Sequence, residues 1–313
     1  MRRAIAGIGR TLVTLGLLIL LFVVYQLWGT GIFTARAQEN LKSKFQKELQ
    51  QAGTDNPVVA SPTTTKPGVS TPPTVPHDNV KPAPPTPAEG EVEGKISIQR
   101  IGLDMAFVEG TSRDDLKKGP GHYPGTPLPG TIGNAAIAGH RTTYLHPFGD
   151  LDKMLVGDQI VVQTLAGTFV YQVSTPWFKV KSTDVWVVAN TADPELTLTA
   201  CHPKGSAEFR IVIKAKLIWN KSSRVSIAKP LDLGTGKGRA TQQQGLAESL
   251  SGQARSFGPS IFWGVIAAIV GLAWWWGFRR WRHPRTWLIG ALPFLIALFP
   301  FYVYLERALP SGY

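Results

Sequence analysis

Three apolar stretches decide what this chain can fold into: residues 11–28, 260–278 and 287–305 are each nearly free of charged side chains. A helix crosses a bilayer with about 20 such residues, so the chain reads as anchored in a membrane near both ends with a soluble part between. Arg2, Arg3 and Arg10 precede the first stretch, and Arg279, Arg280, Arg282 and Arg285 crowd the turn between the last two. Basic flanks stay in the cytoplasm. Residues 1–10 and the loop 279–286 are therefore expected inside, and the central region and the tail 306–313 outside. The first stretch also has features of a cleavable export signal, because Ala35-Arg36-Ala37 has the small-x-small form of a processing site. Its apolar run exceeds the ~7 to 15 residue core of such signals, which favours an uncleaved anchor.

Outside the spans the composition changes twice. Residues 38–92 pair a helix candidate with a spacer. The helix candidate, Asn40–Gln50, carries Leu41, Phe45 and Leu49 at every fourth position and is read as resting on the membrane surface. The tract from Asn56 to Ala88 is rich in Pro and Thr, buries almost nothing and reads as extended. A second polar linker, 221–259, leads back to the membrane; its Gly234–Gly238 run lacks the spacing of a phosphate-binding loop. The folded unit is then 93–220. Short β-type runs fill it: Lys95–Gln99, Met105–Glu109, Asn134–Ala138, Gln159–Thr164, Thr168–Ser174, Val185–Val188, Leu196–Cys201 and Phe209–Trp219. So many strands in one small unit predict an all-β fold, a closed or nearly closed barrel of about eight strands. Short helices are expected at Asp114–Lys118 and Asp150–Leu155.

Outside the basic loop 279–286, the formal net charge of +12 brings no run in which Lys or Arg alternates with stacking aromatics. Attraction to anionic lipid or an acidic wall polymer explains it, and nucleic acid is not an expected partner. A single cysteine, Cys201, excludes a disulfide framework. Cys201 ends an alternating run in which Thr197, Thr199 and Cys201 share one face while Leu196, Leu198 and Ala200 share the other. The next run opens at Arg210, and the Pro- and Gly-bearing segment between them reads as a hairpin. Thiol and guanidinium should therefore meet at one rim of a sheet.

A nucleophilic thiol needs a proton partner, and the unit offers His122, His140, His146 and His202. His140 is the strongest candidate, because it follows a strand through Gly139 and sits where a side chain can face a cleft. His202 adjoins the thiol in sequence, but neighbouring side chains on an extended chain diverge. No Cys or His pair has metal-ligand spacing, and Asp150, Asp152 and Asp158 are too scattered for calcium, so neither metal nor cofactor is expected.

Gly121-His122-Tyr123-Pro124, Ala138-Gly139-His140-Arg141-Thr142-Thr143-Tyr144 and Cys201-His202-Pro203-Lys204, followed by Arg210, resemble motifs of the sortases. These are cysteine transpeptidases of Gram-positive cell walls, and the motifs look most like class E, the housekeeping type of many actinobacteria. The resemblance implies cleavage of a Leu-Ala-x-Thr-Gly or Leu-Pro-x-Thr-Gly signal between Thr and Gly. A thioacyl enzyme would follow, then transfer to an amine of a lipid-linked peptidoglycan precursor. It implies Cys201 as nucleophile, His140 as general acid and base, and Arg210 as the group steadying substrate and oxyanion. Tyr123 is expected at the substrate by the same resemblance, with packing of the Pro-rich loop as its alternative role; Thr199, on the thiol face, is expected there too. The implied partners are secreted proteins with C-terminal sorting signals, the wall precursor and membrane lipid. One departure from the family pattern is Ala200, where Thr usually precedes the cysteine; alternation turns it away from the thiol. With reference pKa values of ~8.5 and ~6.5, thiolate and imidazolium coexist in only about 1% of molecules unless the site shifts them. Two other readings stay open: an L,D-transpeptidase-like wall enzyme, and a silent wall-binding scaffold in which Cys201 is merely a small buried hydrophobe.

Overall fold

Nine strands carry the central region: β1 (Val92–Ile98), β2 (Leu103–Glu109), β3 (Gly121–His122), β4 (Asn134–Ala138), β5 (Gln159–Thr164), β6 (Gly167–Val173), β7 (Phe178–Lys181), β8 (Glu195–His202) and β9 (Phe209–Leu217). They belong to a computed structural model that describes residues 2–54, 85–223, 257–281 and 284–308. The spacer up to residue 84, most of the linker 221–259, two residues of the basic loop and the last five of the tail lie outside the described residues. The strand order is β6-β5-β1-β2-β3-β4-β8-β9-β7, and β6 also pairs with β9. That extra pairing closes eight strands into a barrel and leaves β7 lying along β9. Only β2–β3 and β4–β8 are parallel.

Alternation sorts the side chains into an interior and an outer layer. Ile96, Ile98, Phe107, Ile137, Ile160, Val162, Phe169, Tyr171, Leu196, Leu198, Ile211 and Ile213 are fully buried in one cluster. Each such side chain contributes about 1.5–3 kcal/mol on leaving water. Gly130 has φ +87° and lies against the Phe169 ring, so the turn takes no side chain there.

Helix α2 (Thr30–Thr54) packs on this barrel, which corrects its expected place on the membrane surface. Phe45 is buried with Val92 and Ala106, with Leu41 and Leu49 beside it. The reason lies on the edge of β2 that two-residue β3 leaves uncovered. There Gln38 Nε2 donates to Ala106 O and Lys118 O, while Gln38 Oε1 accepts from Ala106 N, all at 2.8 Å. A side-chain amide thus stands in for the missing strand, and the folded unit includes α2 rather than starting at residue 93.

Two strands, β3 and β7, escaped the sequence reading. Conversely, Val185–Val188, expected as a strand, is a 3₁₀ turn. Its carbonyls are held from the side: Asn134 Nδ2 donates to Val187 O and Ala189 O, so the segment is pinned against the barrel with no ladder to join. The expected short helices are present as α3 (Arg113–Leu116) and a 3₁₀ turn at Leu151–Lys153.

Helices α1 (Arg2–Val24), α4 (Gly258–Trp281) and α5 (Pro284–Ala308) form a separate unit. Gly258–Gly277 and Ile289–Glu306 are long and apolar enough to cross a membrane, and Leu12–Val24 is a shorter apolar segment. Within this unit Tyr302 Oη donates to Leu18 O at 2.7 Å, and Gly264 and Gly271 lie against the rings of Phe301 and Phe294.

Candidate active site

The parallel β4–β8 register runs to Ala138 opposite Thr199, with one more rung from Gly139 N to Thr199 O at 3.1 Å. Two residues beyond the Ala138–Thr199 pair, one on each chain, stand His140 and Cys201. On the other side of β8 the antiparallel register sets Arg210 directly opposite Cys201, as the hairpin reading expected. Neighbouring strands lie about 4.8 Å apart. Three adjacent strand ends therefore line up an imidazole, a thiol and a guanidinium in that order. Parity agrees: Ala136 and Ala138 of β4, Cys201 of β8 and Val212 of β9 share the outer cluster, so His140, Cys201 and Arg210 face the same way.

Each group is held by its own element. Arg210 Nη1 donates to Ala207 O at 3.0 Å and Phe209 O at 3.1 Å, which ties the guanidinium to the hairpin turn. Gly139 admits the close approach of Phe148, whose ring a Cβ would meet at 2.6 Å, and Phe148 N donates to His140 O at 3.0 Å. Tyr123 and Thr199 are brought together beside the thiol, their hydroxyls 2.8 Å apart.

The row is covered. Cys201 is 1% exposed, Arg210 2% and His140 4%. The Tyr144 ring packs at a tilt against His140, with centroids 4.8 Å apart and planes at 33°. Tyr144, Leu145 and His146 all have left-handed backbone, with φ of 53°, 61° and 36°. Non-glycine residues pay roughly 1–2 kcal/mol each for that conformation. Bonds from His146 N to Thr143 O and from Gly149 N to His146 O, both 2.8 Å, hold the turn. Burial, followed by the charges of Lys117 and Arg113, pushes His140 from its ordinary 6.5 down to about 3. In this covered state the imidazole is neutral at pH 7. The tuning runs away from an imidazolium, opposite to the shift a resting ion pair would need.

The other histidines have different duties. His202 Nδ1 lies 2.7 Å from Arg141 Nη1, which can only donate, so that nitrogen accepts and is unprotonated. His146 belongs to the left-handed turn. His122 lies with Glu93 and Glu109 in a buried cluster that sequence spacing did not reveal: Nδ1 is 2.7 Å from Glu109 and 3.2 Å from Glu93, and Nε2 is 3.0 Å from Pro127 O. The three donor atoms lie within 4.8 Å of one another, a spacing that suits a metal, yet both ring nitrogens already have protein partners. His122 and Glu109 form a buried ion pair beside the loop carrying Tyr123, while both Glu93 oxygens are buried with no hydrogen-bond partner among the described residues.

Burial opposes the charge on His122, but Glu93, Glu109 and the Pro127 carbonyl outweigh it and raise its pKa to about 9. Glu93 is raised to about 8, first by burial and then by Glu109, against the pull of His122. Both groups bind protons more tightly folded than unfolded. Their stabilisation is therefore fully present below their unfolded pKa values, 4.5 and 6.5, and is lost as pH rises through about 8 and about 9. The thermal midpoint should fall between pH 7 and pH 10, and a Glu93→Gln/His122→Gln double variant should flatten that slope. An equal slope in the variant would remove the cluster as its cause.

A family model described as a sortase domain matches residues 96–218. Sortase D of Bacillus subtilis is 33% identical over 135 residues, which cover 42% of this chain and 67% of that protein. The chain belongs to the sortase family. The domain match runs from β1 to just past β9 and so contains the whole row of His140, Cys201 and Arg210. Sortase SrtE1 of Streptomyces coelicolor is 30% identical over 227 residues, 68% of this sortase and 56% of that protein, so the chain spans little more than half of that relative. A solved sortase D5 transpeptidase from Clostridium perfringens aligns at 26% identity and a TM-score of 0.42, covering 59% of this chain and 98% of that one. As a sortase, the protein is a cysteine transpeptidase by family.

Proposed function

We propose that this sortase is a class E-type enzyme, anchored in the cell membrane with its barrel on the outer face. In this reading it cleaves a Leu-Ala-x-Thr-Gly or Leu-Pro-x-Thr-Gly signal between Thr and Gly, and passes the protein to an amine of a wall precursor. The observation that carries it is the row of His140, Cys201 and Arg210 on three adjacent strand ends. Similarity to SrtE1 and SrtE2 of Streptomyces supports the class. The two long apolar helices and the four arginines near the turn between them support the multi-pass arrangement.

His140 enters the reaction as a base, because its neutral form prevails at pH 7. It takes the Sγ proton while sulfur attacks the Thr carbonyl carbon, forming the C–S bond. Arg210 supplies fixed N–H donors where the oxyanion develops. The imidazolium then returns its proton to the Gly nitrogen as the C–N bond breaks, leaving a thioester. The acceptor amine attacks that thioester, His140 takes the amine proton, and Cys201 regains it as the thiol leaves. The Tyr123–Thr199 hydroxyl pair flanks the thiol and is assigned to the substrate's peptide groups.

The test incubates the full chain in detergent with both peptides and a glycine amine, following acyl transfer by mass spectrometry. Cleavage between Thr and Gly with transfer to the amine is the expected result, and the ratio of the two rates ranks the signals. A folded protein that alkylates at Cys201 yet transfers neither peptide would overturn the assigned signal.

A further inference from the structure

Rungs in a parallel pair of strands recur every second residue along each chain. After Gly139 N to Thr199 O, the next rung in the same direction would run from Arg141 N to Cys201 O. Cys201 O instead accepts from the Arg141 side chain, Nη1 to O at 3.3 Å. The same Nη1 lies 2.7 Å from His202 Nδ1, and Nη2 reaches Asp152 Oδ1 at 3.0 Å. Arg141 is 4% exposed, and its bond to Cys201 O is buried, while the Asp152 side chain keeps 38% of its surface in solvent.

A rung made by a side chain is much longer than one made by the backbone. It lets the chain diverge from β8 after the Gly139 rung, over residues 140–141, while the two strand ends stay tied, so His140 and Cys201 keep a fixed gap. A planar guanidinium holds three partners at once on two elements beyond its own, namely the nucleophile's carbonyl, the next ring and a carboxylate from the 151–153 turn. Lysine donates from one point and cannot span them.

We infer that Arg141 is a positioning residue, a side-chain rung that sets the distance between His140 and Cys201 and thereby the proton transfer between them. The inference rests on the roles proposed above for those two residues. It assigns Arg141 no contact with substrate.

The experiment uses the full chain in detergent and compares wild type, Arg141→Lys, Asp152→Asn and His140→Ala. Two readouts are taken: steady-state transfer, and the pH profile of Cys201 alkylation by a small neutral reagent. Arg141→Lys is expected to lower kcat on the order of 10²-fold, the size of effect that a misplacement near 1 Å produces, with KM little changed. Its alkylation profile should move to that of His140→Ala, since both lose the neighbouring imidazole. Asp152→Asn, which keeps an acceptor but releases the ion pair, should shift both readouts the same way by less. A merely structural role would lower the thermal midpoint and leave kcat per folded molecule and the profile at wild-type values; that result in Arg141→Lys overturns the inference. Should Arg141→Lys fail to fold, wild-type kcat and profile in Asp152→Asn overturn it equally. If wild type transfers neither peptide, the proposed signal fails, and the alkylation profiles still decide the role of Arg141.

Discussion

Cys201→Ala is expected to end acyl transfer completely while the fold stays intact. The chain has no other cysteine to take over, and the variant keeps the backbone that pairs with Arg210. Only one sulfur is removed, from a cluster with Tyr123, Val188 and Val212 around it, which should reduce stability by about 1 kcal/mol, the centre of the range for single substitutions. Mass spectrometry of the intact protein should show a peptide adduct on wild type and none on the variant, at nearly equal thermal midpoints. Transfer at the wild-type rate without Cys201 would place the chemistry elsewhere.

Arg210→Lys carries the second large effect. Arg210 faces Cys201 across β8–β9 and is tied at Nη1 to two carbonyls of its own turn, so in the proposed reaction its fork is held in place before substrate arrives. Lysine preserves the charge and loses the fork. Removing one preorganised oxyanion donor typically lowers kcat by about 10²–10³-fold, and that range is expected here with KM little altered. Single-turnover rates of thioester formation would measure it directly. A Lys variant within threefold of wild type would mean that charge alone suffices, or that the oxyanion is held by other groups.

Much of this was legible in the chain. Strict alternation through Leu196–Cys201 and from Arg210 onward fixes which residues share a face, and a hairpin of known ends leaves one register that puts Cys201 opposite Arg210. β4 and β5 were found to the residue for the same reason. Failures came where period carries no information. β3 has two residues, too few to show alternation, and it exists because β2 and β4 flank it. β7 does alternate as Phe178-Lys179-Val180-Lys181, but four residues just after Pro176 are too few for the alternation to stand out. The β-branched run at Val185–Val188 has strand propensity without a free edge to pair with. The stripe of Leu41, Phe45 and Leu49 announced a helix, yet nothing in it says whether lipid or protein lies beneath. Arg141, Tyr144 and the Glu93–Glu109–His122 cluster were invisible as functional groups, because their partners are distant in sequence and meet only through strand register.

The cover over the thiol has a consequence for redox chemistry. A protein with several cysteines can rescue a sulfenic acid by condensing it with a neighbouring thiol, and a reductant then restores both. This chain has one cysteine, so oxidant that reaches its sulfur meets no internal resolving partner, and the next steps lead to sulfinic and sulfonic acids. At 1% exposure Cys201 is shielded, with the left-handed turn lying against His140 through Tyr144. The same burial therefore protects the chain's one thiol from irreversible loss.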